Sequence, residues 1–394
     1  MIKKILLILV ISLYQTSSYS KISNYEDYNY EYFSDYLSAL ILSKNFQNKE
    51  ALKYFNYSKK LLNKHENFLE NYVINLVEND KINLALKEIK KSDFISSKNF
   101  LEAQIISISY NIKKNDFYAA QKNLDDLEKY KDLGTLEKII YETLTSYTNL
   151  FLTGKRQNIN YNFGKLSLVS KAFQECYLNS GQSLLHFENI VNSEDGDFSR
   201  YLYFYFYDLI EKNEFKSLKE ISKKINPLNS NLLILQSKMW IENEEFFNFK
   251  KYFSCQNPHH ILSEFFFLIA NLYSSEEQFR KSNFYLAISN YLNPKFNFNN
   301  SLLAENYFII EKFDKSKDAL NNLNKNHQIY TWYKYKKNAQ IIKIKKGEDK
   351  ALQFIEKKFK EFKTPSSKII YDLANIYKNF GKFEQSIKYY TEVL

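Results

Sequence analysis

The stretch LIANLYSSEEQFRKSNFYLAISNYLNP, residues 268–294, reads as two short helices joined by a polar turn. Ile269, Ala270 and Tyr273 share one face of the first, and Phe279, Ser282, Leu286 and Ser289 return at helical spacing in the second, which Pro294 closes. The small residues Ala270 and Ser282 let the two helices approach closely, and Tyr273 and Phe279 fill the space beside them. The unit recurs. Small residues fall at Ala51, Ala85, Ala119, Ser282, Ser316, Ala351 and Ser386 with a spacing close to 34 on either side of a gap. This beat predicts an all-α fold, an α-solenoid in which each helix pair buries its apolar face against the next.

The composition agrees. With 44% hydrophobic residues over 394 positions the chain can fill a continuous core, and 7 Gly and 4 Pro are too few for a sandwich or barrel with many tight turns. The net charge of +10 is carried by lysine, since arginine occurs only at Arg156, Arg200 and Arg280. Readers of nucleic acid favour bidentate arginine, and no single helix carries a dense basic stripe, so a nucleic-acid partner is not expected. The 33 Tyr and 33 Phe, with abundant Lys, Asn and Ile, are in part what AT-rich codons produce.

Residues 1–20 carry an export pattern: Lys3 and Lys4, an apolar run from Ile5 to Leu13, then a polar end with Ser18 and Ser20 at signal-peptidase spacing. The run is shorter than the ~20 residues of a spanning helix. The expectation is cleavage near Ser20 and a periplasmic mature chain, with peripheral membrane association at most. Residues 21–35 are a tyrosine-rich lead-in expected to be flexible. Helical repeats are then expected over 36–130, divergent helical repeats over 131–260, and regular repeats over 261–394, the last one cut short. In the first block Ala39 and Leu42 precede Ala51 and Phe55; Leu69, Val73 and Leu76 precede Ile82, Ala85 and Ile89; Ile106 and Tyr110 precede Phe117, Ala120 and Leu124, shifted by one residue. In the middle only Phe206, Leu209, Phe215 and Leu218, and then Leu233, Ser237, Trp240, Phe246, Phe249 and Phe253, suggest degenerate repeats. In the last block Leu303, Ala304 and Tyr307 precede Phe313, Ser316 and Leu320, and Leu373, Ala374 and Tyr377 precede Gly381, Phe383, Ser386 and Tyr390.

These residues resemble the tetratricopeptide repeat (TPR) family over roughly two-thirds of the chain, and the pattern looks like that of exported, alphaproteobacterial-type TPR proteins. The resemblance implies a right-handed superhelix whose concave side is lined by the first helix of each repeat. The residues it singles out for binding protein are Asn271 and Ser274; Tyr333, Lys336, Gln340 and Lys343; and Tyr371, Asn375 and Lys378. The set is similar to that of the carboxylate-clamp TPR proteins, except that Asp372 stands where an amide is expected and would repel a carboxylate.

Other features read as structure. YLYFYFYDL, residues 201–209, is expected in the core. Cys255, His259 and His260 are too few for a structural zinc site. Cys176 and Cys255 lie more than two repeats apart, and several helix layers at ~8–10 Å each would keep them from the ~7 Å a disulfide tolerates, so two free thiols are expected. There is no phosphate loop and no hydrolase or metalloprotease motif, so neither an enzyme nor a cofactor is expected. The function expected is a non-catalytic scaffold or adaptor of the bacterial envelope that holds a peptide or partner helix in its concave groove. The alternatives are a structural part of an envelope assembly, or the repeat region of a larger enzyme whose catalytic part follows Leu394.

Overall fold

The computed structural model describes residues 30–65, 67–92, 100–128, 135–156, 163–193 and 199–393. The export segment and positions 21–29 of the lead-in lie outside these residues. Within them the chain is helical throughout, with 21 α-helices. The first block holds α1 Tyr30–Lys44, α2 Asn48–Tyr57, α3 Phe68–Glu78, α4 Ile82–Lys91, α5 Leu101–Lys113 and α6 Phe117–Leu127. Next come α7 Thr135–Thr153, α8 Lys165–Tyr177, α9 Ser183–Val191, α10 Leu202–Glu211, α11 Phe215–Lys223, α12 Leu232–Glu242 and α13 Phe247–Tyr252. The last block holds α14 Pro258–Ser275, α15 Phe279–Leu292, α16 Asn300–Ile309, α17 Phe313–Asn321, α18 Gln328–Lys346, α19 Glu348–Phe359, α20 Ser367–Asn379 and α21 Phe383–Val393. Residues 30–65 form one compact unit and residues 67–393 a second. The first described helix begins at Tyr30, inside the expected lead-in.

The repeat is written in the turns. Nearly every pair is joined by one residue in the left-handed region: Phe46, Asp80, Asn115, Asn179, Asn213, Glu244, Glu277 and Glu311, with φ from 51° to 59°, and Gly381 at 69°. Each turn carries the same two main-chain bonds. At the α3–α4 turn Asp80 N donates to Val77 O and Lys81 N to Leu76 O, both at 2.9 Å; at the α20–α21 turn Gly381 N donates to Lys378 O and Lys382 N to Tyr377 O. This is the Schellman arrangement, which satisfies the last carbonyls of one helix while reversing the chain. It occurs at Asn179, Asn213 and Glu244 as well, so the middle of the chain keeps the repeat that its side chains had blurred. Gly347 breaks the series: at φ 90°, ψ 171° it joins α18 to α19 alone, and α18 runs for 19 residues.

The small residues sit where the helices of a pair touch. Ala51, Ala85, Ala120, Ser282, Ser316, Ala351 and Ser386 are all buried, and Ala120 rather than Ala119 fills the slot after the one-residue shift. Ser316 Oγ donates to Ala304 O at 2.9 Å, and Ser386 Oγ donates to Ala374 O at 3.0 Å, the same bond two repeats on. Between α14 and α15, Ser263 Oγ donates to Ser289 O and Ser289 Oγ to Ser263 O, each at 2.8 Å.

The middle packs with aromatics instead. Tyr203, Phe204, Phe206 and Tyr207 of α10 are buried, as expected of the 201–209 run. Phe253 lies 4.8 Å from Phe204, 5.2 Å from Tyr207 and 5.9 Å from Phe173, ring centre to ring centre. The α13–α14 connection is thereby drawn across the end of α8, where Gln256 Nε2 donates to Cys176 O at 3.3 Å. This overturns the expectation of free thiols. Cys176 and Cys255 form a disulfide, with Cα atoms 5.7 Å apart. Counting helix layers assumed a straight stack, whereas the aromatic cluster folds segments two repeats apart onto each other.

Within the larger unit the chain also returns on itself. α3 and α5 pack on α14 and α15. Lys113 lies over the Tyr291 ring at 3.9 Å and donates to its carbonyl. Arg280 Nε faces Glu78 Oε1 at 3.5 Å. The Glu78 side chain is 2% exposed, and burial pushes its carboxyl up to about 7 against the partial opposition of Arg280 and Lys315.

Two predictions follow from these contacts. A Cβ on Gly381 meets nothing within 4 Å, so Gly381→Ala pays only for the left-handed backbone, about 1 kcal/mol. Urea denaturation should show that loss, and Gly181→Ala, where no positive φ is required, should not. Glu78 holds its proton up to about pH 7 when folded and releases it near 4.5 when unfolded. Unfolding therefore releases a proton in that window, and stability falls as pH rises through it, by an amount on the order of 3 kcal/mol. Urea midpoints measured from pH 4.5 to 7.5 should fall less for Glu78→Gln than for the wild type.

Candidate functional site

The expected binding residues are placed as follows. Asn271, Gln340 and Lys378 are exposed. Ser274 Oγ donates to Asn306 Oδ1 at 2.6 Å, and Asn306 passes the contact to Ser282 Oγ and Asn283 Oδ1. Tyr333 is buried, its hydroxyl donating to Glu305 Oε1 at 2.6 Å. Lys343 pairs with Glu348 at 2.5 Å. Asn375 Oδ1 accepts from Tyr390 at 2.7 Å, and the Tyr390 ring lies 5.6 Å from that of Tyr371. Lys336 Nζ donates to Asp372 Oδ2 at 2.6 Å. The structure joins Lys336 to the α20 helix that carries Tyr371 and Asn375, but places Asn271 and Ser274 on α14, and most of these side chains are engaged by residues outside the expected set.

Asp372 itself is not a bare repulsive charge. It is buried, accepts from Trp332 Nε1 at 3.2 Å and Lys336 at 2.6 Å, and pairs with Lys368 Nζ at 3.1 Å. Two ammonium groups and an indole N–H answer one carboxylate, which clips α18 to α20. The packing of Trp332 with Leu352, Ile355, Ile369 and Leu373 fixes α18, α19 and α20 as one block.

That block presents a cleft of about 620 Å³ on the other side of α18. The helix contributes Tyr330, Lys334, Asn338, Ile341 and Lys345, a stripe at i, i+4, i+8, i+11 and i+15, together with Tyr335, Ile342 and Lys346. At 100° per residue this stripe points well over a quarter-turn away from Tyr333, Lys336, Gln340 and Lys343. One wall is Lys317 of α17 with Leu323, Asn324 and Lys325 of the connection; the other is Phe354 and Lys358 of α19. The connection is tied down: Asn324 Nδ2 donates to Tyr252 Oη at 3.0 Å, Thr331 Oγ1 donates to Lys325 O at 3.0 Å, and His327 Nε2 bonds Tyr252 Oη at 2.9 Å. Burial holds His327 down at about 4, so it is neutral and stays in this bond at ordinary pH.

Six lysines and no carboxylate line the cleft. On its rim Asp314 lies 3.5 Å from Lys345 and 3.8 Å from Lys317, and Glu361 lies 2.7 Å from Lys358 while accepting from the Tyr335 hydroxyl at 2.8 Å. Lys325, Lys334 and Lys346 have no acidic partner among the described residues. Lys334 is half-buried, and burial, with Lys325 and Lys358 nearby, holds its ammonium below the ordinary lysine value.

Each arginine faces a glutamate away from the cleft. Arg200 makes a two-pronged bond to Glu264, 2.7 Å on each arm, and donates to Asn299 Oδ1 at 2.8 Å with Phe267 beneath it at 3.7 Å. Arg156 pairs with Glu175 at 2.5 Å, and Arg280 faces Glu78. The residues of the metal-like cluster are likewise engaged elsewhere: Cys255 in the disulfide, His259 Nδ1 with Leu292 O at 3.0 Å, and His260 Nδ1 accepting from Ser254 N at 3.1 Å. No described helix is long and apolar enough to cross a membrane.

No protein-family model and no curated protein matches the sequence. Among solved structures, the chain is similar to the human IFIT1 dimer with m7Gppp-AAAA, at 14% identity and a TM-score of 0.25 over 93% of this chain and 90% of that one. It is similar in the same degree to yeast Tom70, at 12% identity and a TM-score of 0.25 over 92% of this chain and 91% of that one. Superpositions this loose carry no functional argument. The α-solenoid of TPR-like helix pairs rests on the turns and small-residue contacts of this chain.

Proposed function

We propose that the chain is a non-catalytic scaffold, working outside the cytoplasm in the cell envelope, that holds a protein or peptide partner. The observation that carries this reading is the cleft between α17 and α19. It is open, of a size that suits a ligand or a short stretch of chain, walled by helices already locked by their own packing, and lined by side chains with unused donors. Pre-ordered walls lose little entropy when a partner is seated. The reading keeps the expected scaffold role but moves the binding surface from the inner-face residues to the opposite side of α18.

Export is supported by the pattern of residues 1–20 and by the Cys176–Cys255 disulfide, since such bonds persist in oxidising compartments and are rare in the cytosol. The protein recovered from cells should therefore begin after Ser20 by intact mass, and should show no free thiol when unfolded in a thiol-reactive dye. A full-length cytosolic chain with two reactive thiols would defeat the export reading.

Partner capture from an envelope extract tests the scaffold. Lys334→Glu with Lys345→Glu should lose the partner, while Lys336→Glu with Lys378→Glu should retain it. The reverse pattern would return the binding surface to the inner face.

A further inference from the structure

We propose that the cleft takes an acidic segment of a partner protein, its carboxylates on Lys334 and Lys345 and one apolar side chain on the floor formed by the half-buried Ile342 and Phe354. This inference rests on the scaffold reading and adds the chemistry of the partner.

The charge argument is local. Lys334 is half-buried without a counter-charge, and an ammonium taken from water is costly until a carboxylate meets it. Lysines on either side of it, Lys325 and Lys358, add repulsion that an anion relieves. Lys345 and Lys317 share Asp314 at distances long for a charged hydrogen bond, and the Asp314 side chain is 87% exposed, so an incoming carboxylate competes easily. Along α18, Lys334 and Lys345 stand about 16 Å apart, a span that about five residues of extended chain cover. Between them Ile342 and Phe354, both half-buried, offer a patch that rewards an apolar side chain and gives nothing to a bare anion.

The same surface suits nucleic acid poorly. Stacking of successive bases needs several open aromatic faces, whereas Tyr330 is buried, Lys358 lies over the Tyr335 ring at 4.9 Å, and Phe354 alone is left. The planar fork that reads phosphate and bases is absent from the cleft, no arginine being among its lining residues.

Fluorescence anisotropy with the whole chain tests this, using a labelled peptide of Asp, Glu and Leu. One control peptide replaces the acids by Gln and Asn, another replaces Leu by Ser, and a labelled oligouridylate serves as the polyanion. The acidic-leucine peptide should bind more tightly than all three. Lys334→Glu and the exposed Lys345→Glu should each weaken it about tenfold or more, and Lys378→Glu should leave it within about twofold. Lys334→Gln provides the same reading if the charge reversal unfolds the protein. The proposal fails if the wild type does not bind the peptide, if the cleft variants bind it equally, or if oligouridylate binds at least as well and is lost in the same variants. Should the peptide fail while extract capture still depends on Lys334 and Lys345, the scaffold stands and only the partner's chemistry is wrong. If capture fails as well, both readings fall.

Discussion

A single left-handed residue between two helices sets most of this architecture. It reverses the chain within a few residues, and its two main-chain bonds fix the angle at which the second helix leaves. Once that angle is set, the first and second helices of a pair must meet at one place, which holds Ala or Ser in the two regular blocks. Ser316 and Ser386 add the same bond to the partner helix two repeats apart, which shows how closely the geometry is copied. The stacked pairs then bring α17, α18 and α19 to the spacing that opens the lysine-lined cleft.

The regular blocks were legible because their small residues and aromatics carry the contact directly. The middle was not, for two physical reasons. The turn depends on main-chain atoms, so Asn179, Asn213 and Glu244 perform it without a shared side chain. The core there is built from large rings such as Phe173, Phe204 and Phe253, which leave no small-residue beat to count. The disulfide escaped for a related reason: it depends on contacts between residues distant in sequence, which a straight-stack picture does not contain. As for the site, the residues singled out in the sequence and the lining of the cleft share α18 but lie on different sides of it. The cleft draws lysines from α17, a connection, α18 and α19, so no single segment displays a basic stripe. Asp372 looked repulsive because its partners Lys336, Lys368 and Trp332 were not yet around it.

The two kinds of cation overlap only in part. Arginine, with its rigid fork, faces buried carboxyls: Glu264 most firmly, with Glu175 and Glu78. Lysine meets the buried Asp372 and Asp208 but also covers the outside and the cleft. Its long flexible stem lies along apolar surface while its charge reaches water.

The packing of α3 and α5 on α14 and α15 joins residues as far apart as Lys113 and Tyr291, 178 positions along the chain. A plain repeat array folds from any nucleus and frays from either end, because every contact is between neighbours. Here a long loop must close before those contacts form, which raises the mean sequence separation of contacts and slows the search. The same link means that the first helices of the larger unit do not come away without disturbing its third quarter. What the sequence announces as a one-dimensional stack therefore behaves, in the order and cooperativity of its folding, like a globular domain.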